Sequence, residues 1–306
     1  VIHAFALEPE LVATWGERAE FRFICDKFGL GTPRMLLELP KFSAWKKAVY
    51  EAAQKLGLPD TDMTRVAELL SMFGEHKHRR ADTIYDGLLS WLENAEREYG
   101  RRAFAGILAI ANPRSHEAVL VSEQLSAQSA RWACAVGASP QRTPAGLAAE
   151  FAPMLTHCYQ LHLIDPHFGP ENRRHSDVLS AFMNVLVQGG GAPRVIRVHC
   201  AKKSEIQFFQ DSAKKMAPRL PVDVTIEFVR WRERQSGERL HNRYVLTDVG
   251  GVSLGIGLDA GGPGETDDLS LLTRDQYALR WEQYVLEKGF DCVDRPANVV
   301  GTRTRR

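Results

Sequence analysis

The chain is short of cysteine pairs, of charge imbalance and of long apolar runs, and each shortage narrows what it can be. Its five cysteines (Cys25, Cys134, Cys158, Cys200 and Cys292) are odd in number, widely scattered and free of any CxxC spacing. That pattern excludes a disulfide framework and a zinc knuckle, and the thiols read as buried or idle. Lys and Arg number 39 against 38 Asp and Glu, a formal net charge of +1, which excludes a protein that coats nucleic acid by bulk electrostatics. Any anion must therefore be gripped locally. No stretch of about 18 apolar residues is present and residues 1–10 do not read as a secretory signal, so no membrane span is expected and the cytoplasm is the expected compartment. Internal repeats and low-complexity segments are absent.

What is present is an ordinary globular composition, 44% hydrophobic, 9% aromatic and 25% charged over 306 residues, enough for two modest domains. Up to about Gly100 the apolar spacing is helical, as in Trp45, Val49, Ala52, Leu56 and again in Val66, Leu69, Leu70, Phe73. Ala103 to Ala111 is a short apolar run that fits a buried strand or a buried helix segment, and Ser122 to Ala138 reads as a helix of small residues. The sequence thus predicts a mostly helical N-terminal domain over 1–145, with Gly137 to Pro144 as the linker. Beyond it, helices and strands alternate. Strands are expected at Tyr159 to Ile164, Val195 to His199, Val222 to Val229, Leu240 to Leu246 and Val252 to Ile256. Helices fall between them, Gly189 to Gly191 stops one, and a last helix opens on the capping box Thr273-x-x-Gln276. This alternation predicts an α/β domain over 146–295 with a sheet covered on both faces, followed by a basic tail, 296–306.

The chemistry concentrates in Arg239-Leu-His241-Asn-Arg243-Tyr-Val-Leu-Thr-Asp248. His-x-Arg-x4-Asp places His241 and Arg243 two apart on the expected strand, and so on one face. A histidine beside a fixed cation suits phosphodiester chemistry: the imidazole attacks phosphorus or shuttles a proton while the cation neutralises nonbridging oxygens. Asp248, five residues beyond Arg243, falls at the strand end, where it would orient a neighbouring side chain.

This segment resembles the HxKx4D signature of the phospholipase D superfamily, with Arg243 where the family has lysine. Gly251-Val-Ser253-Leu-Gly255-Ile-Gly257-Leu-Asp259 sits where members place a glycine- and serine-containing strand lining the phosphate site. Leu163-Ile164-Asp165-Pro166-His167-Phe168 looks like the strand-ending element that opens the same domain. The three elements together look most similar to the phospholipase D-like C-terminal domain of MIT-domain-containing proteins, over about Leu155 to Tyr284. The resemblance implies a phospholipase D-like α/β domain with a central mixed sheet, chemistry without metal or other cofactor, and His241, Arg243 and Asp248 as the catalytic set. Arg243, Ser253 and Asp259 would hold phosphate, joined by Arg232 from the basic and aromatic run Arg230-Trp-Arg232-Glu-Arg234.

Catalytic members need two such motifs, one histidine forming the phosphohistidine and the other protonating the leaving group. A second copy is absent: His199-Cys-Ala-Lys202 has the wrong spacing, and His162, His167 and His175 have no cation two residues on. An active enzyme would be a homodimer joining two His241 across a two-fold axis. Two classes follow. One is a metal-independent nuclease or phosphodiesterase acting on nucleic acid or another phosphodiester, by fold-level analogy in bacterial defence. The other is a noncatalytic module whose pocket docks an anionic lipid, a nucleotide or a protein partner, with the N-terminal domain joining a larger assembly. Arginine favours the second, because it holds phosphate bidentately yet displaces it from the lysine geometry, and the MIT-associated branch is regarded as a noncatalytic binder of acidic head groups. A structural reading also exists for the residues: His241 as a hydrogen-bonded core histidine, Ser253 and Asp259 as turn formers, Glu265, Asp267 and Asp268 as an acidic loop rather than a metal site.

Overall fold

The computed structural model describes residues 1–78, 83–126, 129–188 and 195–304. Its contacts divide the chain into two compact units, Ile2–Ala135 and Val136–Arg306 together with Val1. Both are α/β. Among the described residues, no helix is long and apolar enough to cross a membrane.

The first unit is built on a five-stranded parallel sheet of β1 (His3–Leu7), β2 (Arg34–Leu37), β3 (Lys77–His78), β4 (Gly106–Ala109) and β5 (Val119–Val121), in the order β3-β2-β1-β4-β5. Five helices connect the strands: α1 (Pro9–Thr14), α2 (Arg18–Lys27), α3 (Phe42–Lys55), α4 (Asp60–Glu75) and α5 (Trp91–Arg101). The helical spacing seen in the sequence is real, since Trp45, Val49, Ala52 and Val66, Leu69, Leu70, Phe73 form the buried faces of α3 and α4. The expectation of a mostly helical domain nevertheless misses the sheet. Strands covered on both faces do not alternate apolar and polar residues, and β2 and β4 are four-residue runs, RMLL and GILA, buried throughout. The helix expected over Ser122 to Ala138 is also corrected. Only Ser122–Gln124 forms a 3₁₀ turn, and the Ser126 N–H is taken by the Ser129 hydroxyl (3.0 Å), local bonding that competes with a helix. Residues 127–128 lie outside the described ones.

The second unit opens on β6 (Gly137–Ala138), inside the stretch expected to be linker, and continues through α6 (Pro144–Leu155), β7 (Gln160–Ile164), α7 (Arg173–Gln188), β8 (Val195–Ala201), α8 (Ile206–Lys214), β9 (Thr225–Arg232), β10 (Arg243–Thr247), β11 (Gly250–Leu254), β12 (Leu269–Leu271), α9 (Arg274–Arg280), β13 (Asp291–Cys292) and β14 (Ala297–Val300). Its described strands make one mixed sheet, β13-β9-β8-β7-β10-β11-β12-β6, with β14 beside β13 on the outer edge of β9. β7, β8 and β9 are parallel, linked by helical crossovers, and β10 returns antiparallel on the other side of β7. The expected glycine stop at Gly189 to Gly191 lies outside the described residues. The expected basic tail is a correction: Ala297–Val300 is a sheet strand, and the backbone of Arg303 donates to Leu220 O and accepts from Val222 N. Residues 305–306 of that segment fall outside the described ones.

Inside the sheet, a polar chain spans three strands, β9, β8 and β7. Trp231 Nε1–H donates to His199 Nδ1 (3.0 Å), which leaves His199 to donate from Nε2 to His162 Nδ1 (3.0 Å) and places the His162 proton on Nε2, 3.5 Å from Gln160 Oε1. Both imidazoles are fully buried.

Candidate anion site

At the carboxyl end of β7 the strand order turns back from β8 and β9 to β10, the place where open α/β sheets form crevices. The start of antiparallel β10 and the end of β11 arrive at the same edge, through the pairs Tyr244 with Ile164 and Arg243 with Leu254. Three separated sequence segments, 165–168, 241–243 and 254–259, are thereby drawn together.

Asp165 is the floor of the crevice. Its buried carboxylate accepts from His167 N at Oδ1 (2.8 Å) and from Leu258 N at Oδ2 (2.9 Å). Behind it His175 is buried against Phe168; Gly169 N donates to His175 Nδ1 (3.4 Å), so the ring proton sits on Nε2, 3.9 Å from Asp165 Oδ2. Burial lowers the His175 pKa, although Asp165 and Asp259 pull the other way. Gly257 passes so close that an added Cβ would lie 2.9 Å from Asp165 Oδ2.

Over this floor stands Arg243, with Nε 4.0 Å from Asp165 Oδ1. Arg243 Nε is buried and has no hydrogen-bond partner among the described residues. At the mouth, the exposed His167 meets Lys203, whose ammonium donates to His167 Nδ1. Burial, then the charges of Lys203 and Arg243, lowers the His167 pKa. The crevice therefore presents two fixed cations and a neutral imidazole around one buried carboxylate. Sequence reasoning missed Lys203 and gave His167 no role; Lys203 follows closely on β8, which ends at Ala201, and His167 on β7, which ends at Ile164, where the residues after parallel strands line a crevice.

The other expected site residues are placed differently. His241 is not on the strand. β10 begins at Arg243, because β7 stops pairing at Ile164 and β11 stops pairing at Leu254, and an unpartnered segment has no ladder to join. His241 is exposed, with Nδ1 3.1 Å from Arg239 O, which puts the proton on Nδ1 and leaves the Nε2 lone pair open. The loop that carries it is tied down by Glu238, which accepts from Arg280 Nη1 (2.6 Å) and from Gln283.

Asp248 lies at the far end of β10, about 16 Å along the strand from Arg243 at ~3.3 Å per residue. Its Oδ1 accepts from Tyr159 N (2.6 Å) and Gln160 N (2.9 Å), so it fastens the start of β7 instead of orienting a site residue. Ser253 pairs with Tyr244 and donates to Ser270 O (3.2 Å), on the opposite face of β11 from Leu254 and hence from Arg243. The Asp259 carboxylate faces Arg142 and, at 3.2 Å, Arg174; it gathers arginines and is itself an anion, so it is no phosphate ligand. Arg232 is exposed on β9, three strands from β10, with Asp291 at 3.9 Å. Of its neighbours, Arg230 is buried between Phe209, Ser204 O and Asp294, and Arg234 caps the turn before β13. That basic run is structural.

Among the described residues, no group of three or more His, Cys, Asp or Glu side chains is arranged to hold a metal ion. Two thiols are buried, Cys158 and Cys200, two are half-buried and Cys292 is exposed; all five are free.

No family model and no curated protein matches the chain. Among solved structures it is similar to that of TrmBL2, an archaeal chromatin protein described as showing a novel mode of DNA binding, at 13% identity and a TM-score of 0.27. The match covers 51% of this chain and 53% of that one, so the chain spans about half the length of TrmBL2. At this similarity the match carries no argument about fold or function.

Proposed function

We infer that the second unit is a phosphate-recognising module of phospholipase D-like type, which grips a phosphate or phosphodiester between Arg243 and the Lys203–His167 pair. The observation that carries the reading is the buried Arg243 Nε–H without an acceptor, since a buried donor left unpaired costs about 1–3 kcal/mol and an anion in the crevice would relieve that cost. Asp165 stands 4.0 Å from that nitrogen, near enough to orient the guanidinium and too far to accept its hydrogen. The near-zero net charge fits a ligand held at one point and not along a basic surface.

Titration of inorganic phosphate and of a short single-stranded oligonucleotide into the full chain tests this reading. Arg243→Ala should weaken both by roughly ten- to hundredfold, the worth of a charge-assisted pair. Unchanged affinity would remove the crevice from consideration.

A second reading is favoured by the open Nε2 of His241, the tautomer a nucleophile toward phosphorus needs. Two copies of the chain would then supply one histidine each to a metal-independent phosphodiesterase. Cleavage of the oligonucleotide in the presence of chelator, lost in His241→Ala with binding retained, supports it; binding without cleavage leaves recognition as the function.

A further inference from the structure

Far from that crevice in sequence, the first unit contains a cleft of about 540 Å³ lined by Phe23, Lys27, Arg34, Trp132 and Cys134 among others. Its volume is that of a small-molecule pocket. Arg34 opens β2, is more than nine-tenths buried, and lies over the Trp132 ring at 4.1 Å. One of its nitrogens is occupied, since Nη2 donates to Trp132 O. The neighbouring Nε is buried and has no hydrogen-bond partner among the described residues. Among the described residues, no carboxylate lines the cleft. A buried guanidinium is ordinarily paired, and an unpaired one in a cavity asks for an anion.

The rest of the lining adds a second charge and a stacking surface. Lys27 extends from the last turn of α2, its ammonium 5.5 Å from the centre of the Phe23 ring. Phe23 stacks on Trp132 with ring centres 6.4 Å apart and planes 24° from parallel, and remains exposed itself. Two cations match the charge of a phosphate monoester, close to −2. An exposed aromatic ring backed by tryptophan offers a face to a planar ring.

We propose that this cleft is a second ligand site, which binds a nucleoside monophosphate with its phosphate on Arg34 and Lys27 and its base on Phe23. The site is independent of Arg243. No bond is made or broken in it; it is a binding site.

Calorimetric titration of the full chain carrying Arg243→Ala, which disables the crevice of the second unit, with the four ribonucleoside 5′-monophosphates, and separately with adenosine and inorganic phosphate, tests the proposal. At least one monophosphate should bind one per chain, with the nucleoside and the free anion each about tenfold weaker or worse, because each retains half of the contacts. Phe23→Ala and Lys27→Met, both at surface-accessible positions, should each weaken the monophosphate about tenfold, and Arg34→Met should abolish binding. If Arg34→Met fails to fold, the two surface variants decide. Phe23→Ala, with Arg243 in place, must leave oligonucleotide binding intact, and monophosphate binding must persist when Arg243 is replaced, so that this site and the crevice of the second unit stand or fall separately. Absence of binding by all four monophosphates, equal affinity for inorganic phosphate alone, or affinity unmoved in Phe23→Ala and Lys27→Met would overturn it.

Discussion

Lowering the pH from 7.5 to 5 should destabilise the second unit through the buried His162–His199 pair. In the Trp231–His199–His162 chain every hydrogen is committed, so an added proton forces two N–H groups to face each other, either between the imidazoles or at Trp231. Burial, with a smaller contribution from Arg197, pushes the His162 pKa down from 6.5 to about 3; His199, deeper still, is driven the same way by burial and by its neighbours His162 and Arg197. A group whose folded pKa is depressed stabilises the fold above its unfolded pKa and loses that contribution as the pH falls toward the folded value. At pH 5 the unfolded chain takes up a proton that folded His162 refuses, which at about 1.4 kcal/mol per pH unit removes about 2 kcal/mol, with His199 adding in the same direction. Against a total of roughly 5–15 kcal/mol this is a large fraction. The assay is urea unfolding at several pH values, read by pulsed hydrogen exchange on peptides spanning β7 and β8, so that the second unit is followed by itself. His162→Gln, which keeps an acceptor toward His199, should flatten the profile. A free energy that does not change between pH 7.5 and 5, or a His162→Gln profile as steep as that of the parent, would refute the reasoning.

Other outcomes follow from the crevice and its supports. Gly257→Ala should drive a methyl group against the Asp165 carboxylate and cost about 1–3 kcal/mol in thermal unfolding, together with loss of phosphate affinity. Asp248→Ala should cost a similar amount, because two backbone donors at the start of β7 lose their acceptor, yet leave phosphate binding as it was. Weakened binding in Asp248→Ala at unchanged stability would return that residue to the site.

The second unit was far more legible from sequence than the first. β7 and β8 fall close to where apolar runs and flanking turns put them, whereas β9 runs three residues later than the expected Val222 to Val229 because a turn from Pro221 O to Val224 N takes up its start. Both partners of the Thr273 and Gln276 capping box are in place. Leu163 to Phe168 and Gly251 to Asp259 do meet Arg243 at one sheet edge. What stayed hidden depends on pairing partners that no local pattern encodes. Leu240 to Leu246 reads as one strand, but its first three residues have nothing to pair with, and His241 leaves the sheet. Asp248 sits at the right spacing for a motif and is consumed by the amides of Tyr159 and Gln160. In the first unit, β2 and β4 are too short to be told from buried helix segments, and neither alternates apolar with polar residues, while α3 and α4 supply a strong 3.6-residue period that dominates the reading. Lys203 had no signal of its own; its position next to His167 exists only once β7 and β8 lie parallel.

The edges of the second sheet set the order in which it can be completed. β6 at one edge pairs with β12 through Gly137 with Ser270, and β14 at the other covers the first half of β9 through Ala297 with Phe228. Both closures join segments remote in the chain, and such non-local pairings form late and slowly. During synthesis the first half of the outer edge of β9 stays bare until residues 297–300 emerge, a row of open backbone donors and acceptors beside Ile226 and Phe228. β14 is thus a lock on the sheet that carries the crevice, and the interval before it arrives leaves the nascent chain open to pairing with the wrong strand.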